Sequence, residues 1–212
     1  MAASLKRLFP DAKIALHYKT DWELLVAVEL SAQCTDIMVN KVTEKLFKKY
    51  KTLNDYVRAS QSERGIRAFE EDIRQTGFYR NKTKNILAAA RMMEEKYNGL
   101  VPKTMEEMLA IPGVARKTAN VVLKEWHGIV LGIAVDTHVR RFVTRFALSD
   151  YLDPTRIERD LMQILPRKEW GMFTHRLIHY GREVCPALRH ECRDHPLTKL
   201  YPPAALRWPK SH

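Results

Sequence analysis

Apolar residues recur along this chain at helical spacing, and no alternating strand pattern persists for more than a few positions. The segment Trp22 to Ala32 is apolar on almost every face, which predicts a central buried helix, capped by Thr20 or Asp21 and ended at the polar Gln33. Thr35 and Asp36 offer a fresh N-cap. Beyond them Ile37, Val39, Val42, Leu46 and Phe47, with lysines between, predict an amphipathic surface helix that runs to Tyr50. Shorter helical pieces over 54–58 and 62–74 close at Thr76-Gly77, and a longer helix over 81–97 stops at Asn98-Gly99 and Pro102. Thr104 and Glu107 have capping-box spacing and open the helix that leads to Pro112. Further on, Asp153-Pro154 starts a helix over 155–165 with Ile157, Leu161, Ile164 and Leu165 turned inward, and another helix follows over 170–184. The first 19 residues suit a short, basic, peripheral helix, and the tail after Cys192, with Pro196, Pro202, Pro203 and Pro209, suits an irregular wrapped segment. The fold class is therefore all-α.

Composition narrows the partner. The 212 residues can bury a respectable core in one large or two small domains. Lys and Arg outnumber Asp and Glu by 36 to 25, and a net charge of +11 favours a polyanion such as nucleic acid. The three cysteines, Cys34, Cys185 and Cys192, cannot form a disulfide framework, and Met1 to Phe9 lacks the apolar core of a signal peptide. The longest apolar stretch, Gly128 to Val135, is far too short to span a bilayer. The chain reads as intracellular.

The chemistry concentrates between Ile111 and Asp136. The turn Pro112-Gly113-Val114-Ala115 directs the first N–H groups of a new helix outward at Arg116, Lys117 and Thr118, and such a helix end attracts anions. The same positive potential disfavours the charged form of Lys117, which makes it a candidate nucleophilic amine. Asp136, in Val135-Asp136-Thr137-His138, reads as the N-cap of the next helix and as a carboxylate able to take a proton or stabilise a cation.

The segment IPGVARKTANVVL followed by IAVDTHVRR resembles the helix-hairpin-helix, Gly/Pro-rich loop and Asp of the endonuclease III family of DNA base-excision glycosylases. LLVAVELSAQCTD from Leu24 to Asp36 and TGFYRNKTKNI from Thr76 to Ile86 resemble that family's two other DNA-facing segments, and the likeness covers nearly the whole chain. It implies two helical domains, one over 14–129 and one made of 1–13 and 130–212, with DNA in the cleft between them. It also implies a monomer acting on double-stranded DNA that carries a flipped damaged base or an abasic site. Lys117 would be the nucleophile and Asp136 its activator. Gln33 with Phe78 or Tyr79 would fill the gap left by the flipped base. Gly113, Ala115, Arg116, Thr118, His138 and Arg141 would face DNA. Ala115 departs from the family's frequent Gly at its position and adds a methyl where backbone nears phosphate.

Three rival readings stay open. Glu29, four residues before Gln33 on an apolar helix, could be a pocket acid of the kind that adenine-mismatch glycosylases look to carry, or a structural carboxylate. An abasic-site lyase or a mismatch-specific glycosylase for adenine or thymine are the enzyme alternatives to a glycosylase for oxidised pyrimidines. A non-catalytic helix-hairpin-helix module is the other, although it would need neither Lys117 nor Asp136. The family usually holds a four-iron four-sulfur cluster on a Cys-x6-Cys-x2-Cys-x5-Cys run. Here Cys185-x6-Cys192 is followed by His195 and Tyr201 in the last two places, so that cluster is not expected. Zinc on Cys185, Cys192 and His195 would require a fourth donor that the spacing does not identify. The expected state is a metal-free loop held by packing that includes Tyr201 and Trp208.

Overall fold

The structure, a computed structural model, describes residues 1–208. Twelve α-helices and no strand occur among the described residues. They are α1 Ala2–Leu8, α2 Asp21–Leu30, α3 Asp36–Lys49, α4 Leu53–Ser60, α5 Glu63–Ile73, α6 Tyr79–Tyr97, α7 Met105–Ala110, α8 Arg116–His127, α9 Thr137–Arg145, α10 Pro154–Ile164, α11 Arg167–Glu183 and α12 Pro196–Leu200. None of them is long and apolar enough to cross a membrane. The chain divides into two compact units, residues 15–129 and residues 1–14 with 130–212.

In the unit of residues 15–129, α2 is the hub because its sequence offers no polar face. Leu24, Leu25, Val26, Ala27, Val28 and Leu30 are all buried, and α3, α6 and α8 pack around it. Thr20 caps α2 by accepting the Glu23 N–H. Behind it Trp22, Tyr50, Tyr56 and Phe69 form an aromatic cluster with centroid separations of 5.2–5.7 Å, which ties α4 and α5 to the hub. Local signals set the helix ends as the sequence suggests. Thr104 accepts the Glu107 N–H at the start of α7, and left-handed Asn98 stops α6. Ile37 departs from its expected inward position and is 84% exposed, because Val39, Val42, Thr43 and Leu46 alone face the core.

In the other unit, α9 and α11 pack together and α1 lies on α11, where Leu5 is fully buried. Only Ala2–Leu8 of the basic N-terminal segment is helical. The core gathers Ile133, Val139, Phe142, Ile157, Leu161, Phe173, Leu177 and Tyr180. The buried Glu158 carboxylate accepts the Ile133 N–H, fixing the segment that leads to α9 onto α10. Asp153 and Pro154 start α10 as expected, with Asp153 accepting the Arg156 N–H. Ile164 corrects the inward assignment, since at the last turn of α10 it is mostly exposed. The tail is also more regular than its prolines suggest. Pro196 and Pro202 each begin a helical turn, a position where a missing N–H costs nothing, while Pro209 lies outside the described residues.

Candidate active site

The hairpin before α8 is built by one left-handed residue. Gly113 has φ +85°, and the Val114 N–H donates to the Ile111 carbonyl to close the turn. An added Cβ at Gly113 would come within 2.6 Å of Glu29 Oε1 and 2.8 Å of Asn85 Cβ, so both the backbone angle and the neighbours demand glycine. α8 then begins at Arg116 with Ala115 as N-cap, and no side chain caps it. A helix start without a capping side chain is the arrangement that binds phosphate. Ala115 and Gly113 are exposed, Arg116 and Lys117 are half-buried, and Thr118 is buried beneath them. Lys117 is the second residue of this helix.

Glu29 lies under the same hairpin. Asn85 donates to its Oε1 at 3.3 Å, and the Lys82 and Lys117 charges act on it. Burial outweighs these three influences and holds the Glu29 carboxyl above the usual carboxylate range. The folded state therefore binds the Glu29 proton more tightly than the unfolded chain does. Its contribution to stability is full below the unfolded value of about 4.3 and declines as pH rises through the folded value. Glu29→Gln, which keeps an acceptor for Asn85, is expected to raise the thermal midpoint at neutral pH and to leave it unchanged near pH 4. Paired melting curves at the two pH values check this, and an equal shift at both would be the contrary result.

Gln33 and Phe78 are brought out by unusual backbone. Gln33 follows the turn after α2 with φ +52°, and Phe78 follows Gly77 with φ +48°, both in the left-handed region that costs a non-glycine residue about 1 kcal/mol or more. Both side chains are exposed, Phe78 at 66%, whereas Tyr79 is half-buried as the first residue of α6 and carries Arg80 beside its ring. Of the two rings considered from sequence, Phe78 is thus the projecting one.

Lys82 escaped the sequence reading. Its side chain is 4% exposed, and its ammonium donates to the Leu30 and Thr76 carbonyls at 2.8 Å each. It fastens the end of α2, which leads to Gln33, to the turn that leads to Phe78. Burial pulls the ammonium below its ordinary value, against the opposing pull of Cys34 and Glu29. The signal available in sequence was a lysine four residues before Ile86 on the buried face of α6.

In the other unit, Asp136 caps α9. Its Oδ1 accepts the Val139 N–H at 2.8 Å, which fixes the carboxylate at the helix start. His138 and Arg141 point toward α11. An added Cβ at Gly181 would meet His138 Nδ1 at 2.5 Å and Arg141 Nη2 at 2.7 Å, and Arg141 donates weakly to the Gly181 carbonyl at 3.4 Å. Arg140 is the exposed arginine of that pair.

The C-terminal loop is organised by Arg145, a fully buried residue of α9. Its guanidinium donates to the Ala204 carbonyl from Nε and Nη2, to Cys185 Sγ at 2.8 Å and to Cys192 Sγ at 2.9 Å, and it stacks 4.0 Å from the Trp208 ring centre. Burial pushes the Cys185 thiol up, partly offset by Arg145. Tyr201 packs on Phe146. His190 and His195 lie in the same loop with ring centres 5.1 Å apart, and burial followed by His190 holds the His195 imidazole below its ordinary range.

Residues 26–167 match the family described as HhH-GPD superfamily base excision DNA repair protein. That defines the class. Endonuclease III of Synechocystis sp. is 48% identical over 94% of this chain and 89% of its own, and endonuclease III of Bacillus subtilis is 43% identical over 91% and 86%. A solved structure described as a trapped endonuclease III–DNA covalent intermediate superposes with a TM-score of 0.86 at 44% identity, covering 94% of this chain and 91% of that one. The chain belongs to the endonuclease III family, and it is a base-excision repair DNA glycosylase, a family with which abasic-site lyase activity is consistent.

The family's four-iron cluster does not fit these residues. Such a cluster takes four thiolates, and the chain has three cysteines, of which Cys34 belongs to the other unit.

Proposed function

We propose that this protein removes damaged, chiefly oxidised, pyrimidines from duplex DNA and then nicks the strand, with Lys117 as nucleophile and Asp136 as the supporting carboxylate. The observation that carries the proposal is the hairpin itself. Gly113 holds a tight turn against Glu29 and Asn85, and that turn presents an uncapped helix start with Lys117 in its first turn. A DNA phosphate suits the positive end of such a helix. The Lys117 amine attacks C1′ of the sugar, and the bond to the base breaks with its electron pair leaving on the base. Transfer of the surplus proton from nitrogen to the ring oxygen opens the ring, leaving a hydroxyl there and an iminium between the amine nitrogen and C1′. The iminium accepts electrons as a proton leaves C2′ and the 3′ phosphate departs, and water then releases the enzyme. The Asp136 carboxylate stabilises the cationic character that develops at C1′. Gln33 and Phe78 occupy the gap left by the extruded nucleotide. Such a substrate places the protein with the chromosome in the cytoplasm, working as a monomer.

Borohydride reduction tests the covalent step. Incubation with an abasic-site duplex and borohydride is expected to yield a stable protein–DNA adduct of one chain per strand, and nicking with no adduct would contradict the amine mechanism. Docking through Arg116, Arg140 and the hairpin also predicts that log affinity falls against log salt with a slope of about −3 or steeper, as several released counterions require. Fluorescence anisotropy across a salt series measures it, and a flat response would point to another surface.

A further inference from the structure

The C-terminal loop contains a second arrangement with its own chemistry. Cys185 Sγ and one ring nitrogen each from His190 and His195 lie within 4.8 Å of one another. Bound to one tetrahedral ion, such atoms would stand about 3.3–3.8 Å apart, a closure that small side-chain rotations supply. On each histidine one ring nitrogen has no other occupation. His190 Nε2 and His195 Nδ1 are buried without a hydrogen-bond partner, a state that normally costs on the order of 1–3 kcal/mol per group unless something is meant to bind there. The tautomer of His190 is also set. Its Nδ1 lies 2.7 Å from the Leu188 carbonyl, and since a carbonyl only accepts, Nδ1 carries the hydrogen and Nε2 presents its lone pair. A histidine that donates one ring N–H to a backbone carbonyl while the other nitrogen stays bare has the outer-shell arrangement of a metal ligand.

We infer that Cys185, His190 and His195 bind a single divalent transition-metal ion of the zinc class. Cys192 lies outside the 4.8 Å group and reaches the fourth position only by a side-chain movement, for which it is the candidate because its sulfur shares the Arg145 guanidinium with that of Cys185. Arg145 then acts as an outer-shell donor to sulfurs that bind as thiolates, and its buried positive charge faces two negative ones in place of two neutral thiols. Mixed Cys and His donors in a compact loop select zinc over hard cations, which prefer oxygen. His190 is the donor that cysteine spacing alone could not identify, because it lies between Cys185 and Cys192 at neither of the family's ligand positions. The ion would join the loop to α11 and α9 in a unit that holds Asp136, so its role is structural.

The test uses the full chain purified without chelator. Zinc is expected at one per chain by elemental analysis after gel filtration, and addition of zinc to stripped protein should raise its thermal midpoint. Cobalt(II) in place of zinc should give the visible bands of a tetrahedral site with a sulfur-to-metal charge-transfer band in the near ultraviolet. Cys185→Ser should remove that charge-transfer band. His190→Gln and His195→Gln should each weaken zinc binding by about 10-fold or more. If Cys185→Ser does not fold, the two histidine variants carry the test with circular dichroism as the control. Substoichiometric zinc in the unchanged protein with no response to added zinc would overturn the inference. So would a cobalt spectrum that survives all three substitutions, or stoichiometric iron with acid-labile sulfide. None of these readouts depends on glycosylase activity.

Discussion

Lys117→Gln is expected to leave a folded protein that still binds an abasic-site duplex but nicks it on the order of 1000-fold more slowly and forms no borohydride adduct. The amide cannot form an iminium, so the electron sink that permits departure of the 3′ phosphate is lost. Stability should not suffer. Lys117 is half-buried in the first turn of α8, where a positive charge opposes the helix dipole, and removing it is neutral or mildly favourable. Melting curves and anisotropy would separate this outcome from misfolding, and nicking at the unaltered rate would remove Lys117 from the mechanism.

Asp136→Asn gives the second large effect. Asparagine caps a helix as well as aspartate does, so the bond to the Val139 N–H and the start of α9 should persist. The negative charge does not persist. Single-turnover base release is expected to slow by on the order of 100-fold or more, with little loss of DNA affinity. Asp136→Ala should show the same slow chemistry together with about 1 kcal/mol of lost stability, the value of the cap. If Asp136→Asn slows nothing while Asp136→Ala destabilises, the residue is a cap alone.

The parts of this protein that were legible in sequence are those determined locally. Pro112-Gly113 and the Asp136 cap announce their helices because a turn angle and a side-chain acceptor act within three or four residues. Thr104 and Asp153 announced theirs for the same reason. What spacing could not supply is contact across the chain. Lys82 reaches a carbonyl 52 residues away, and its type suggests solvent. His190 is one loop histidine among eight histidines in the chain until folding turns it toward Cys185 and His195. Ile37 and Ile164 were misassigned inward because a terminal turn of a helix has no neighbour over one side, so periodicity overstates burial there. The choice between Phe78 and Tyr79 rested on a backbone angle that only the fold reveals.

The Lys82 ammonium has a consequence for motion. The segments that carry Gln33 and Phe78 share one anchor, so neither can fray without breaking a bond to the ammonium that also holds the other. Their amides should exchange with deuterium as one cooperative block, closing and opening together. Under the proposed function, a pair of wedges mounted in this way would keep its spacing along a duplex and meet each base step as a rigid two-pronged gauge.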